Sequence, residues 1–232
     1  MEDEIIDAPS PNFDDRDQPV SIVVLHYTGM QDGASAIARL RDPEARVSSH
    51  YVVDEEGKIL RLVPEDKRAW HAGKSYWRGM HNVNGVSIGI EIVNPGHDYG
   101  YRPFPAEQME AVVRLIAGIL QRHQVPIANV VGHSDIAPTR KQDPGELFDW
   151  GLLARQRLAV ARPAKTLVDP GWPDGGFLLA LERYGYDVRD GFAATVAFQR
   201  RFRPELIDGT IDGESRAILL ALLLDRETGQ AI

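Results

Sequence analysis

The chain has 232 residues, enough for one large domain or two modest ones, and its 43% hydrophobic and 26% charged content is that of a soluble globular protein. A formal net charge of −8 argues against a binder of nucleic-acid backbones, which needs a basic face, though it leaves room for a basic cleft on an acidic body. The absence of cysteine removes disulfides, thiolate zinc ligands, cysteine nucleophiles and cysteine-linked lipid anchors together.

The opening MEDEIIDAPSPNF is acidic and lacks a basic segment followed by an apolar one. No run reaches the ~18 apolar residues of a membrane span. The expectation is a cytoplasmic protein, or a periplasmic one if a leader was trimmed. Residues 1–19 read as a polar, proline-bearing arm. Val20 to Leu25 is a buried strand ending on His26 and the turn-like Tyr27-Thr28-Gly29. Ala34 to Leu40 predicts a short helix stopped by Asp42-Pro43. His50 to Val53 and Ile59 to Val63 are two short strands joined through Asp54-Glu55-Glu56-Gly57 as a hairpin. Val86 to Val93 alternates, with Val86, Ile88, Ile90 and Ile92 on one face and Ser87, Gly89 and Glu91 on the other.

Pro105 to Val125 carries the clearest helical stripe, through Met109, Val112, Val113, Ile116, Ile119 and Leu120. Asn129 to Gly132 is a strand that runs into GHSDIAPTRKQDPG. Strands and helices alternate, so the fold class is α/β, a mixed central sheet flanked by helices. Prolines and glycines gather at 162–176 as an interdomain linker. Beyond them, Phe177 to Tyr184, Gly191 to Phe202 and Gly213 to Arg226 predict a small all-α unit of three helices. The expected division is an arm at 1–19, a catalytic unit at 20–161, the linker, and a helical unit at 177–232.

Three polar positions look expensive: His26 and His133 at strand ends, and Glu91 within a strand. Side chains at the carboxyl ends of neighbouring strands face a common crevice, where open α/β sheets bind ligands. Zinc accounts for such a set, since a catalytic site takes three protein ligands and keeps a position open. Asp143 is ten residues after His133, beyond a bend at Pro138, and is a better third ligand than Asp135, two residues from His133. Taken singly, each histidine also fits a hydrogen-bonded strand end, and Asp143 a turn before Pro144-Gly145.

VVLHYTG, VSSHYVVDEEGKI, RAWHAGKSYWRG, NGVSIGIEIVN and GHSDIAPTRKQDPG, in that order between Val20 and Trp150, resemble the zinc-dependent N-acetylmuramoyl-L-alanine amidases of the type-2, peptidoglycan-recognition fold. ERYGYDV, AFQRRFRP and IDGTIDGESRAILLALL resemble the helical peptidoglycan-binding domain often joined to them. The resemblance implies one Zn2+ per chain on His26, His133 and Asp143, with Glu91 and Lys141 catalytic. It implies hydrolysis of the amide between N-acetylmuramic acid, including anhydro forms, and L-alanine of the stem peptide. The partners it implies are peptidoglycan fragments or muropeptides, with no nucleic acid and no transmembrane segment, for a monomer. A noncatalytic recognition protein and a zinc peptidase acting within the stem are the alternatives. Trp70, His71, Asn84 and His50 lie in matching segments as substrate-binding candidates; for Trp70, packing explains the position equally well, and for Lys141 the bland reading is a solvated loop charge beside Arg140.

Overall fold

The computed structural model describes residues 5–165 and 167–227; the first four residues of the expected arm, Thr166 of the expected linker and residues 228–232 of the expected helical unit lie outside the described residues. The strongest β-forming runs make the middle of a six-stranded mixed sheet. β3 (Ile22–Tyr27) and β7 (Ser87–Ile92) pair in parallel, with β8 (Val130–Gly132) beside β3 and β4 (Tyr51–Val53) beside β7, both parallel as well. β4 returns antiparallel as β5 (Ile59–Arg61), and β1 (Ile5–Asp7) adds a parallel edge, giving the order β1-β5-β4-β7-β3-β8. The β3–β7 register sets His26 directly beside Glu91.

Period-2 alternation divides the sheet into two buried faces. Val23, Leu25, Ile88, Ile90 and Ile92 face α4 (Ala106–His123), whose stripe of Met109, Val112, Ile116 and Ile119 seals them with help from α6 (Trp150–Arg155). Full burial of each such aliphatic side chain is worth about 1.5–3 kcal/mol. Ile22, Val24 and Val131 point the other way, into a second cluster with Phe177, Leu181, Tyr186, Phe198 and Phe202. Those residues belong to α7 (Asp174–Tyr184), α8 (Gly191–Phe202) and the turn between them; α9 (Gly213–Glu227) packs behind. The helical segment therefore shares a core with the sheet.

Residues 5–19 enter the fold instead of leaving it. Besides β1, β2 (Phe13–Asp15) pairs antiparallel with β6 (Lys67–Ala69) as a separate two-stranded sheet. Their polar side chains satisfy backbone groups that would otherwise be buried unpaired. Asn12 donates to the carbonyls of Asp42 and Val47, and Arg16 to those of Glu65, Gly85, Lys67 and Ser87. The remaining helices are α1 (Gly33–Arg41), capped by Asp32, and three single turns: α2 (Val83–Val86), α3 (Gly96–Tyr99) and α5 (His133–Ile136).

Candidate metal centre and active site

The carboxyl end of β3 and that of β8 deliver two histidines to one point. His26 is the penultimate residue of β3, and His133 opens α5 immediately after β8. The chain then bends back: the amides of Arg140 and Lys141 donate to the Ala137 carbonyl at 3.0 and 3.1 Å, and the Ser134 amide donates to the Asp143 carbonyl at 2.9 Å. That closure carries the Asp143 carboxylate between the imidazoles. His26 Nδ1 lies 2.9 Å from His133 Nδ1, and each lies 3.0 Å from Asp143 Oδ2. All three residues are buried.

Hydrogen bonds further back fix which ring nitrogens carry protons. His133 Nε2 is 3.1 Å from the Ala72 carbonyl, which only accepts, so the proton is on Nε2 and Nδ1 is bare. For His26 the chain is longer. Ser87 Oγ spends its proton on the Val83 carbonyl at 2.6 Å, so at 3.1 Å it accepts from His71 Nε2. His71 Nδ1 is then an acceptor, and His26 Nε2 donates to it at 3.1 Å. His26 Nδ1 is therefore also bare. With both rings neutral, two imidazole lone pairs and a carboxylate oxygen face one another, an arrangement that could hold a metal ion.

Burial, followed by the neighbouring His133, pushes His26 down to about 4, so His26 carries no second proton at neutral pH. The relay depends on Gly89: a Cβ there would sit 2.4 Å from the His71 ring. Gly89→Ala is accordingly expected to displace His71 and lower the bound metal per chain, measured by elemental analysis, while far-ultraviolet circular dichroism stays unchanged.

These donors form one wall of a cavity of about 530 Å3 that Glu91, His71, Lys141, Arg140 and Tyr27 also line. Glu91 Oε2 is buried and has no hydrogen-bond partner among the described residues. Burial first, and the charge of Asp143 second, raise this carboxyl well above its ordinary range, with Lys141 pulling the other way. A carboxyl so tuned beside a candidate metal site is of the kind that exchanges protons in active sites.

The sequence model of the N-acetylmuramoyl-L-alanine amidases matches residues 16–146, more than half of the chain. The chain belongs to the N-acetylmuramoyl-L-alanine amidase family. It is 39% identical to N-acetylmuramoyl-L-alanine amidase AmiD of Escherichia coli K12 over 88% of this chain and 82% of that one. The structure of AmiD in complex with the substrate anhydro-N-acetylmuramic acid-L-Ala-D-gamma-Glu-L-Lys superposes with a TM-score of 0.81 at 38% identity, covering 91% of this chain and 90% of AmiD. AmpDh3 of Pseudomonas aeruginosa in complex with anhydromuramic pentapeptide gives 0.81 at 33% identity, over 91% and 93%. The 1,6-anhydro-N-acetylmuramyl-L-alanine amidase AmpD of Escherichia coli K12 is 36% identical over 67% of this chain and 91% of its own length.

In this amidase, His26, His133, Asp143, Glu91, Lys141 and His71 meet at the cavity, but Trp70, Asn84 and His50 do not line it. Both ring nitrogens of His71 are engaged, so it acts behind His26 and has no free nitrogen for a substrate. Asn84 Oδ1 accepts from the amides of His71 and Ala72 at 3.2 and 2.7 Å, holding the segment that carries them. The Trp70 indole donates to Asp14 at 2.7 Å. Tyr27 and Arg140 do line the cavity. Their only sequence signal is adjacency to His26 and Lys141.

His50 has a structural part. Its Nδ1 accepts from the Gly89 amide at 2.9 Å and its Nε2 meets the Lys67 carbonyl at 3.0 Å. Burial is the main cause that lowers it to about 3. Between pH ~6.5 and that value the unfolded chain binds a proton at His50 that the folded chain refuses, so His50 alone contributes a loss of stability on acidification of about 1.4 kcal/mol per pH unit. Urea unfolding at pH 7, 6 and 5 is expected to show a shallower slope for His50→Gln than for the wild type, the buried His26 and His71 supplying the slope that remains.

Proposed function

We propose that this amidase holds one Zn2+ on His26, His133 and Asp143 and hydrolyses the amide between N-acetylmuramic acid, including its anhydro form, and L-alanine of the stem peptide. The observation that carries the reading is the set of three converging acceptors beside a carboxyl with an unpartnered oxygen. Their separations of 2.9–3.0 Å compare with roughly 3.3 Å between ligand atoms of a tetrahedral zinc with bonds of about 2.0–2.2 Å. Two neutral imidazoles and one carboxylate are a usual catalytic donor set, and all three residues line the cavity. When bound, zinc supplies a Lewis acid that acidifies water and polarises the amide carbonyl.

The chain's own residues do the rest. Glu91, next to His26 in the sheet, takes the proton of the attacking water and returns it to the alanine nitrogen as the carbon–nitrogen bond breaks. Lys141, on the loop that brings Asp143 back, offers a cation to the oxygen that becomes negative in the tetrahedral species. Lys141→Met is expected to lower kcat about 10²–10³-fold, with metal content unchanged, measured on a muropeptide substrate.

We further propose that α7–α9, whose segments resemble a peptidoglycan-binding domain, dock on peptidoglycan strands, which co-sedimentation of the full chain with sacculi tests. The reaction itself is tested by mass spectrometry of an anhydro-muramyl peptide after incubation. The expected products are the free sugar acid and a stem peptide whose L-alanine carries a new amine. Products in which L-alanine stays on the sugar would mean a peptidase and overturn the assignment.

A further inference from the structure

The turn that presents His133 is held from outside the family-matched region. α5 is a single turn, with the Ala137 amide donating to the His133 carbonyl, and so short a helix does not fix its own direction. Its neighbours must. Arg201, on α8 and 5% exposed, donates from one terminal nitrogen to Asp135 Oδ2 at 2.7 Å. Its other terminal nitrogen reaches the carbonyls of Val130 at 3.0 Å and Val160 at 2.8 Å. The guanidinium lies 4.0 Å from the centre of the Trp150 ring.

Asp135 is fully buried, and its carboxylate gathers this turn: Oδ2 also accepts from the Gly132 amide at 2.8 Å, and Oδ1 accepts from the Tyr186 hydroxyl at 2.6 Å. Val130 and Asp135 bracket His133 in sequence. One guanidinium thus grips the chain before the ligand and after it. Tyr186 also packs edge-on against Trp77, and the Tyr76 amide beside it donates to the Ile136 carbonyl at 2.8 Å, steadying the far end of α5.

The apolar contacts between the helical unit and the sheet would serve a plain docking interface. A buried ion pair adds little stability to such a surface once its desolvation is counted, and its best-attested use is to fix one arrangement over others. The family match ends at residue 146, ahead of α7, so the two side-chain partners of Asp135, Arg201 and Tyr186, come from a part that the matched amidase unit does not contain.

We propose that the C-terminal helical unit is a working part of the metal centre, with Arg201 and Tyr186 as positioning residues that fix the β8-to-α5 turn so that His133 Nδ1 meets His26 and Asp143. This rests on the metal reading above. It gives α7–α9 a role in the reaction whether or not the unit also touches peptidoglycan.

The test measures zinc affinity of the full chain by competition with a chromogenic chelator, together with the melting temperature in excess chelator. Tyr186→Phe and Arg201→Met are expected to weaken zinc binding about tenfold or more, the lower end of what outer partners of metal ligands typically contribute, and Arg201→Lys to restore part of it. Phe177→Leu, in the shared core but without a polar link to the turn, is expected to lower the melting temperature and keep the affinity of the wild type. Wild-type affinity in both Tyr186→Phe and Arg201→Met would overturn the proposal, as would an equal loss in Phe177→Leu. Should Arg201→Met fail to fold, Tyr186→Phe, which removes one oxygen, decides alone. A wild-type chain that binds no zinc overturns the metal reading itself, and with it this proposal.

Discussion

Glu91→Gln is expected to reduce turnover by about 10²–10⁴-fold, the usual contribution of a positioned acid–base group, while the fold and the bound metal stay as in the wild type. The amide has the carboxyl's size, and no Glu91 atom belongs to the donor trio, so neither packing nor coordination gives a reason for loss. What disappears is the ability to accept a proton and give it back. The environment prepares the residue for this work: burial, then the charge of Asp143, raise its affinity for a proton well above that of a free carboxyl. The sign for the pH profile follows. Glu91 must be ionised to take a proton from water, so kcat/KM falls as pH drops through its raised pKa. That acidic limb should lie above the ~4.3 of an unperturbed glutamate and vanish in the residual activity of Glu91→Gln. Wild-type turnover by metal-loaded Glu91→Gln would remove the proton-shuttle role.

How much of this was legible in the chain itself depends on the range of the signal. His26, Glu91 and His133 stood out because a polar side chain inside or at the end of an apolar strand is costly, and strand ends in an α/β sheet converge. The alternation through Ser87, Gly89 and Glu91 correctly separated the two faces of β7. The relay from Val83 through Ser87 and His71 was invisible, because serine and glycine in a strand look ordinary until a ring from another segment lies on them. His50 and Asn84 read as substrate contacts because their segments neighbour the cleft; only the three-dimensional partners reveal how much of their hydrogen-bonding capacity is already used. Strands of three residues such as β1 and β2, with exposed side chains, carry almost no hydrophobic pattern, and backbone pairing with distant segments defines them. The shared core under α7 and α8 was hidden for the same reason: periodicity shows that a helix has an apolar face, but not what covers it.

Removing the proposed Zn2+ is expected to abolish activity and to lower the melting temperature together. Ligand binding stabilises by about 4 kcal/mol at a thousand times the dissociation constant. For a chain of this size that corresponds to roughly 8–16 °C, at about 2–4 °C per kcal/mol. The structure adds a sharper expectation for Asp143→Ala. In the metal-free wild type, the carboxylate oxygen stays 3.0 Å from two bare nitrogens that the hydrogen bonds behind them hold in place. Deleting the carboxylate relieves that opposition as it destroys the site. The variant should therefore be inactive and indifferent to added zinc, yet melt no lower than the chelator-treated wild type. Scanning calorimetry of both proteins, with zinc and with chelator, separates the possibilities. If Asp143→Ala melts well below the chelated wild type, the carboxylate is bonded to protonated histidines as an ordinary structural acceptor. The three-acceptor argument for a cation would then be wrong.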